Sequence, residues 1–358
     1  MSAVWLRSRR FDLAAFGAPV VLALGLMPLG PWLAPEGSMP IWAWVVFVLG
    51  VDVAHVWSTL YVTYFDPEAR RQRRTLLWLA PLVAYGAGVL VALHGFHSFW
   101  RAMAYLAVFH FVRQQYGWVR LYGRKDPGLK AWDRHLDAAA VYVATLYPVL
   151  WWHCHLPRPF EWFIPEDFVA GLPSWVSAGL LPVYAGTLAL FALRQWQRHR
   201  REGFVPWGKV LLVAGTVATW GAGIILARTD WAFTVSNVIV HGVPYVAFIW
   251  VVGVERATGR GGVRSGVGGL NRAIFVGTKG LHFVLLLLAL AYFEEYLWDR
   301  TLWLERGGVF IGPELTIRES WVPYWMPFLS LPQVTHYILD GFIWKRAKGA
   351  NRSQSGPV

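Results

Sequence analysis

Residues 41–64 read IWAWVVFVLGVDVAHVWSTLYVTY. The run holds no Lys or Arg and one acid, and it exceeds the roughly 20 apolar residues that a helix needs to cross a bilayer. It predicts a membrane-spanning helix. Asp52, His55 and Thr59 recur within it at spacings of three and four, which places all three on one face of that helix. A lipid-facing polar stripe of this kind is prohibitively expensive, so the face must turn toward protein or water.

The same pattern repeats along the chain. Apolar runs set against breakers give ten candidate spans, near residues 11–35, 41–64, 75–97, 100–121, 134–153, 173–193, 207–228, 232–253, 272–296 and 321–344. Of 358 residues, 56% are hydrophobic and 15% charged, where a soluble domain carries about 25% charged. That balance excludes soluble globular, disordered and fibrous chains. The expected fold is all-α: a polytopic integral membrane helix bundle of about ten transmembrane helices, one transmembrane domain over residues 1–344. The first run follows Arg7, Arg9 and Arg10, contains Pro19, Pro28 and Pro31, and is followed by no A-x-A site. An uncleaved anchor is therefore expected rather than a signal peptide.

Lys and Arg counted on alternate sides of the ten spans divide 23 to six. Short basic loops stay cytoplasmic, so both termini are expected in the cytoplasm and the protein in the plasma (inner) membrane. Outer loops are expected at 154–172 and 297–320, a Gly-rich cytoplasmic loop at 254–271 and a cytoplasmic tail at 345–358. The acids Glu294, Glu295 and Asp299 read as part of the outer side. The net charge of +12 is thereby spent on topology, and nucleic acid is not an expected partner. Trp32, Trp42, Trp78, Trp100, Trp151, Trp152, Trp231, Trp298 and Trp321 fall at span ends, the pattern of an interfacial belt. Cys154 is the single cysteine, which removes internal disulfides and cysteine-based metal sites. No internal repeat is visible.

Five histidines on five runs, His55, His110, His241, His282 and His336, fall within one slab, about 12–18 Å in from the predicted cytoplasmic ends at 1.5 Å per residue. Four of these helices add polar neighbours on the histidine face: Asp52 and Thr59; Arg113 and Gln114; Asn237 and Tyr245; Gln333 and Asp340. Thr278 and Lys279 precede His282. Neutral imidazole is the commonest protein ligand for iron, copper and zinc, and carboxylates complete iron sites. The expected metal ligands are His55, His110, His241, His282, His336 and Asp52. Arg113, Asn237 and Asp340 are the expected substrate-handling or orienting groups. Arg113 is expected buried and paired with Asp52, Asp340 or an anionic substrate head. A second histidine group, His94, His97, His153 and His155, lies at predicted outer span ends and reads more simply as interfacial.

The paired H-x-x-x-H and H-x-x-H-H boxes of membrane oxygenases and desaturases are absent, since these histidines occur singly. The leading expectation is a membrane-embedded oxidoreductase of oxygenase, hydroxylase or desaturase type. It would use a histidine-coordinated non-haem iron centre, mono- or dinuclear, on a lipid-soluble substrate within the lipid bilayer. Copper or haem fits the same ligands less specifically. No attached redox domain is visible, so a separate electron donor is implied. The alternatives are a proton-coupled or metal-ion transporter, and an intramembrane acyl or group transferase with His241 as base and Asn237 orienting it.

Overall fold

A computed structural model describes residues 4–126, 128–258, 269–276 and 280–344, and these are helical without a single strand. The glycine-rich segment 259–268, Thr278, Lys279 and the tail from Lys345 lie outside the described residues. Seven helices are long and apolar enough to cross a membrane: α1 Arg9–Leu33, α2 Ile41–Val62, α3 Arg74–His94, α6 Ser174–Glu202, α7 Trp207–Leu226, α8 Asp230–Thr258 and α10 Leu281–Trp303. Two more, α4 Phe96–Arg124 and α5 Ala131–His153, match the length but are less apolar. A short helix α9 spans Gly269–Val276.

The last sequence run, 321–344, differs from expectation. It forms two helices, α11 Val322–Leu329 and α12 Leu331–Ile343. Pro332 sits in the first turn of α12, where its missing N–H costs nothing but where it cannot continue the preceding helix. Likewise His94 and His97 do not share one helix, because α3 ends at His94 and Gly95 turns the chain at φ 144°, a conformation that glycine adopts readily.

The chain divides into two compact units. Unit 1 holds Met1–Pro40 and Met103–Pro244, thus α1, most of α4, α5, α6, α7 and the first half of α8. Unit 2 holds Ile41–Ala102 and Tyr245–Val358, with α2, α3, the second half of α8 and everything after it.

Within unit 1, small residues permit close helix approach, as association between apolar helices requires. A Cβ at Gly215 of α7 would lie 2.7 Å from Val20 of α1. At Gly208 it would lie 2.3 Å from Cε1 of Tyr122 and 3.1 Å from Oδ2 of Asp12. Asp12 is wholly buried and accepts from the Tyr122 hydroxyl (2.7 Å) and the Leu6 amide (2.6 Å). Gly208→Ala therefore lowers stability by about 1–3 kcal/mol through overpacking, read as a drop in melting temperature of the detergent-solubilised protein. An unchanged midpoint would mean that Tyr122 yields freely.

The cytoplasm-assigned charges of unit 1 are not merely solvated. Arg198 and Lys209 are about 1% exposed. Arg198 meets Asp126 in a two-pronged pair at 2.6 and 2.9 Å and Glu202 at 3.0 Å. Lys209 meets Asp137 at 2.6 Å and Asp126 at 3.8 Å. This cluster ties α5, α6 and α7 to the segment after α4.

Within unit 2, α3 packs against both α11 and α12, and α2 against α10 and α12. A Cβ at Gly88 would lie 2.9 Å from Cβ of Pro327, so α3 and α11 touch almost backbone to backbone.

Candidate metal centre

In unit 2, the middle of α2 leaves regular α-helical geometry. Trp44–Val53 forms widened turns before the α-helical segment Ala54–Ser58 resumes. Widened turns inside helices are frequent at functional sites because they re-aim side chains. Here they precede His55 and include Asp52. His55 is 2% exposed, and His336, on α12, is 1% exposed.

The two rings meet edge to face with centroids 5.0 Å apart. Metal–nitrogen bonds of about 2.1 Å can span that separation. Asp52 Oδ1 lies 3.7 Å from His55 Nδ1, too long for a hydrogen bond yet short enough for two atoms to share an ion. That oxygen is buried and has no hydrogen-bond partner among the described residues. A buried acceptor left so is costly, and a cation would satisfy it. Two imidazoles and one carboxylate are the residue types associated with non-haem Fe(II), although their ligand atoms do not all lie within 4.8 Å of one another as the side chains stand, so closing them round one ion requires a side-chain shift.

The orientation of His336 is fixed by a chain of hydrogen bonds. Asp340 accepts from Trp344 Nε1 at 2.7 Å and from the Tyr245 hydroxyl. The Tyr245 proton is thus directed to Asp340, and the Tyr245 oxygen, 3.1 Å from Thr59 Oγ1, accepts from Thr59. Thr59 Oγ1, its own proton spent, accepts from His336 Nδ1 at 2.6 Å. This network assigns the Nδ1–H tautomer, in which Nε2 carries the lone pair that binds metals. Asp340 is thereby linked to His336 through Tyr245 and Thr59.

A cavity of about 320 Å³ adjoins this set, lined by Trp57, Leu60, Pro81, Leu331, Thr335 and His336 among others. It lies within the size range of small-molecule sites, roughly 300–1,000 Å³, and such sites are mostly apolar with few placed polar groups. Glu294 was read from sequence as an outer acid. It is buried within α10 and accepts from Trp57 Nε1 at 2.7 Å. Its position four residues before Trp298, where an apolar run was ending, concealed that burial. The signal available was an acid pair, Glu294 and Glu295, inside a helix otherwise apolar for three turns.

Unit 1 has its own histidine pair. His110 of α4 and His241 of α8 are 2% and 1% exposed, with ring centroids 5.1 Å apart. Phe111 stacks on His241 at 3.5 Å. Pro244 removes a backbone donor from this turn of α8, and Gln114 Nε2 donates to the His241 carbonyl at 2.9 Å. Asn237, 4% exposed, donates to the Phe233 carbonyl at 2.8 Å. Asn237 Oδ1 and Gln114 Oε1 are buried and have no hydrogen-bond partner among the described residues.

Other sequence candidates sit elsewhere. Arg113 is not buried: it is exposed, donates to the Tyr142 hydroxyl and lies 4.7 Å over the Tyr116 ring. The α4 face that buries His110 and Gln114 excludes it. His282 is exposed, whereas the other four histidines are buried. At the C-terminal end of α5, His153 Nδ1 donates to the Val149 carbonyl (2.7 Å) and Nε2 meets the Tyr105 hydroxyl (2.8 Å). His155 Nδ1 meets the Trp151 carbonyl at 2.7 Å. These rings bond to carbonyls in the last turns of their own helix.

No protein-family model, characterised protein or solved structure matches the chain.

Proposed function

We propose that this chain is a membrane-embedded oxidoreductase whose non-haem iron is held by Asp52, His55 and His336, and that it acts on a lipid-soluble substrate. The observation that carries the reading is the approach of two buried imidazoles, with ring centroids 5.0 Å apart, and an unsatisfied carboxylate oxygen 3.7 Å from one of them, residue types that suit iron. When bound, iron supplies the means to activate dioxygen against an unreactive chain. The protein's own part is to orient His336 through Thr59, Tyr245 and Asp340 and to hold an apolar substrate in the adjoining cavity beside Trp57 and Leu60. His110 and His241 offer a second pair in unit 1, a candidate for a further ion. Ten spans, cytoplasmic termini and an inner-membrane location belong to the same reading and rest on the basic-loop asymmetry. A separate electron donor completes it.

Metal analysis of protein purified without chelators tests this. Iron should be the predominant transition metal, and His55→Ala and His336→Ala should each release it. Less than about half an equivalent of any transition metal per chain overturns the reading, because a buried site holds its ion through purification when chelators are absent.

A further inference from the structure

We propose that the groove between α5 and α6 in unit 1 binds a long-chain carboxylate, with its head group on Arg113. The groove has a volume of about 450 Å³ and is lined by Leu146, Leu150, Leu172, Leu180 and Val183, with Tyr142 at one end. On α5 it runs from Tyr142 to His153, eleven residues or about 16 Å at 1.5 Å per residue. Its walls are apolar apart from the stacked rings of Tyr147 and Tyr184, and its two ends differ in chemistry.

At the His153 end, both ring nitrogens already have partners in the Val149 carbonyl and the Tyr105 hydroxyl. That end asks for no ligand. At the Tyr142 end, Arg113 donates to the Tyr142 hydroxyl and lies over the Tyr116 ring, and it forms no ion pair among the described residues. Arg113 is eleven residues before the last residue of α4, again about 16 Å from that helix end. A cation at such depth in a membrane is expensive without a counter-charge. Its planar fork matches a carboxylate through two parallel hydrogen bonds. An occupant with one anionic head and one apolar chain meets both demands at once. A phospholipid does not, because its phosphate is tied at headgroup level rather than at mid-helix.

The full-length protein in detergent, probed with radiolabelled palmitate and with hexadecanol, decides the matter. Palmitate should bind saturably, hexadecanol at least tenfold more weakly, and Arg113→Gln should remove that preference. Leu150→Trp, which fills the groove and leaves Arg113 in place, should block palmitate as well. Neither variant should change the iron content, which separates this site from the metal centre. Equal binding of acid and alcohol, retention of palmitate by both variants, or displacement of palmitate by vesicles of phosphatidylglycerol would each overturn the assignment.

Discussion

If His336 ligates iron as proposed, exchange of Thr59 for valine should lower the affinity for iron by roughly 10- to 100-fold, the usual cost of removing a partner that orients a metal-binding imidazole. Valine keeps the shape and deletes the hydroxyl that joins His336 Nδ1 to the Tyr245 oxygen, at 2.6 and 3.1 Å. His336 then loses the acceptor that fixes its tautomer, and its two nitrogens compete for the proton. Tyr245→Phe breaks the same chain one link further on and should act in the same direction by a smaller factor, since Thr59 still accepts from the ring. Thr59→Ser restores the hydroxyl and should restore the affinity. Both hydroxyls are buried, so each deletion also costs about 1–3 kcal/mol of stability through the group left unsatisfied. Metal titration separates the two effects. If the valine and serine variants hold iron equally well, the chain from Asp340 to His336 is structural only.

Removal of Arg198 has the largest expected effect on stability. Its guanidinium and the Asp126 carboxylate are each about 1% exposed, and breaking a buried pair leaves an uncompensated charge at a cost of roughly 3–5 kcal/mol. Arg198→Met should fall toward the lower end, because Lys209 stays 3.8 Å from Asp126. The double variant Arg198→Met/Asp126→Leu should recover part of the loss, since no charge is then stranded. Burial works against ionisation of Asp126, but hydrogen bonds and charge from Arg198, together with Lys209, hold its carboxyl below the ordinary value of 3.8. The contribution of this ion pair is therefore complete above that value and is lost as pH falls through the lower folded-state value. Thermal melts of wild type and Arg198→Met should converge only under strongly acidic conditions. A constant gap from pH 7 to 5 agrees with this, whereas a gap that closes within that interval does not.

Helical periodicity in the sequence was enough to place Asp52, His55 and Thr59 on one face of α2, and His336 and Asp340 on one face of α12. It likewise joined His110 to Gln114 on α4. These are local consequences of 3.6 residues per turn, and they hold whatever the helices pack against. The requirement that such faces avoid lipid follows from the same sequence, because a charge in hydrocarbon is costly on any helix. What periodicity leaves open is the rotation of one helix against its neighbour and the choice of that neighbour.

Packing supplied those answers. His55 found His336, His110 found His241, and Asp340 was linked to His336 through a tyrosine from α8 and a threonine from α2. Arg113 shares its helix with His110, yet its side chain leaves the buried face for Tyr142. Arg198 and Lys209, which look like ordinary topology-setting charges, are buried because Asp126 and Asp137 are brought to them from 72 residues away in each case. The sequence alone thus determined that the chain is a set of apolar helices with polar faces that must be hidden. Only the tertiary structure decided which of those faces meet, since the energy of a hidden polar group depends on the partner that satisfies it and not on the residue that carries it.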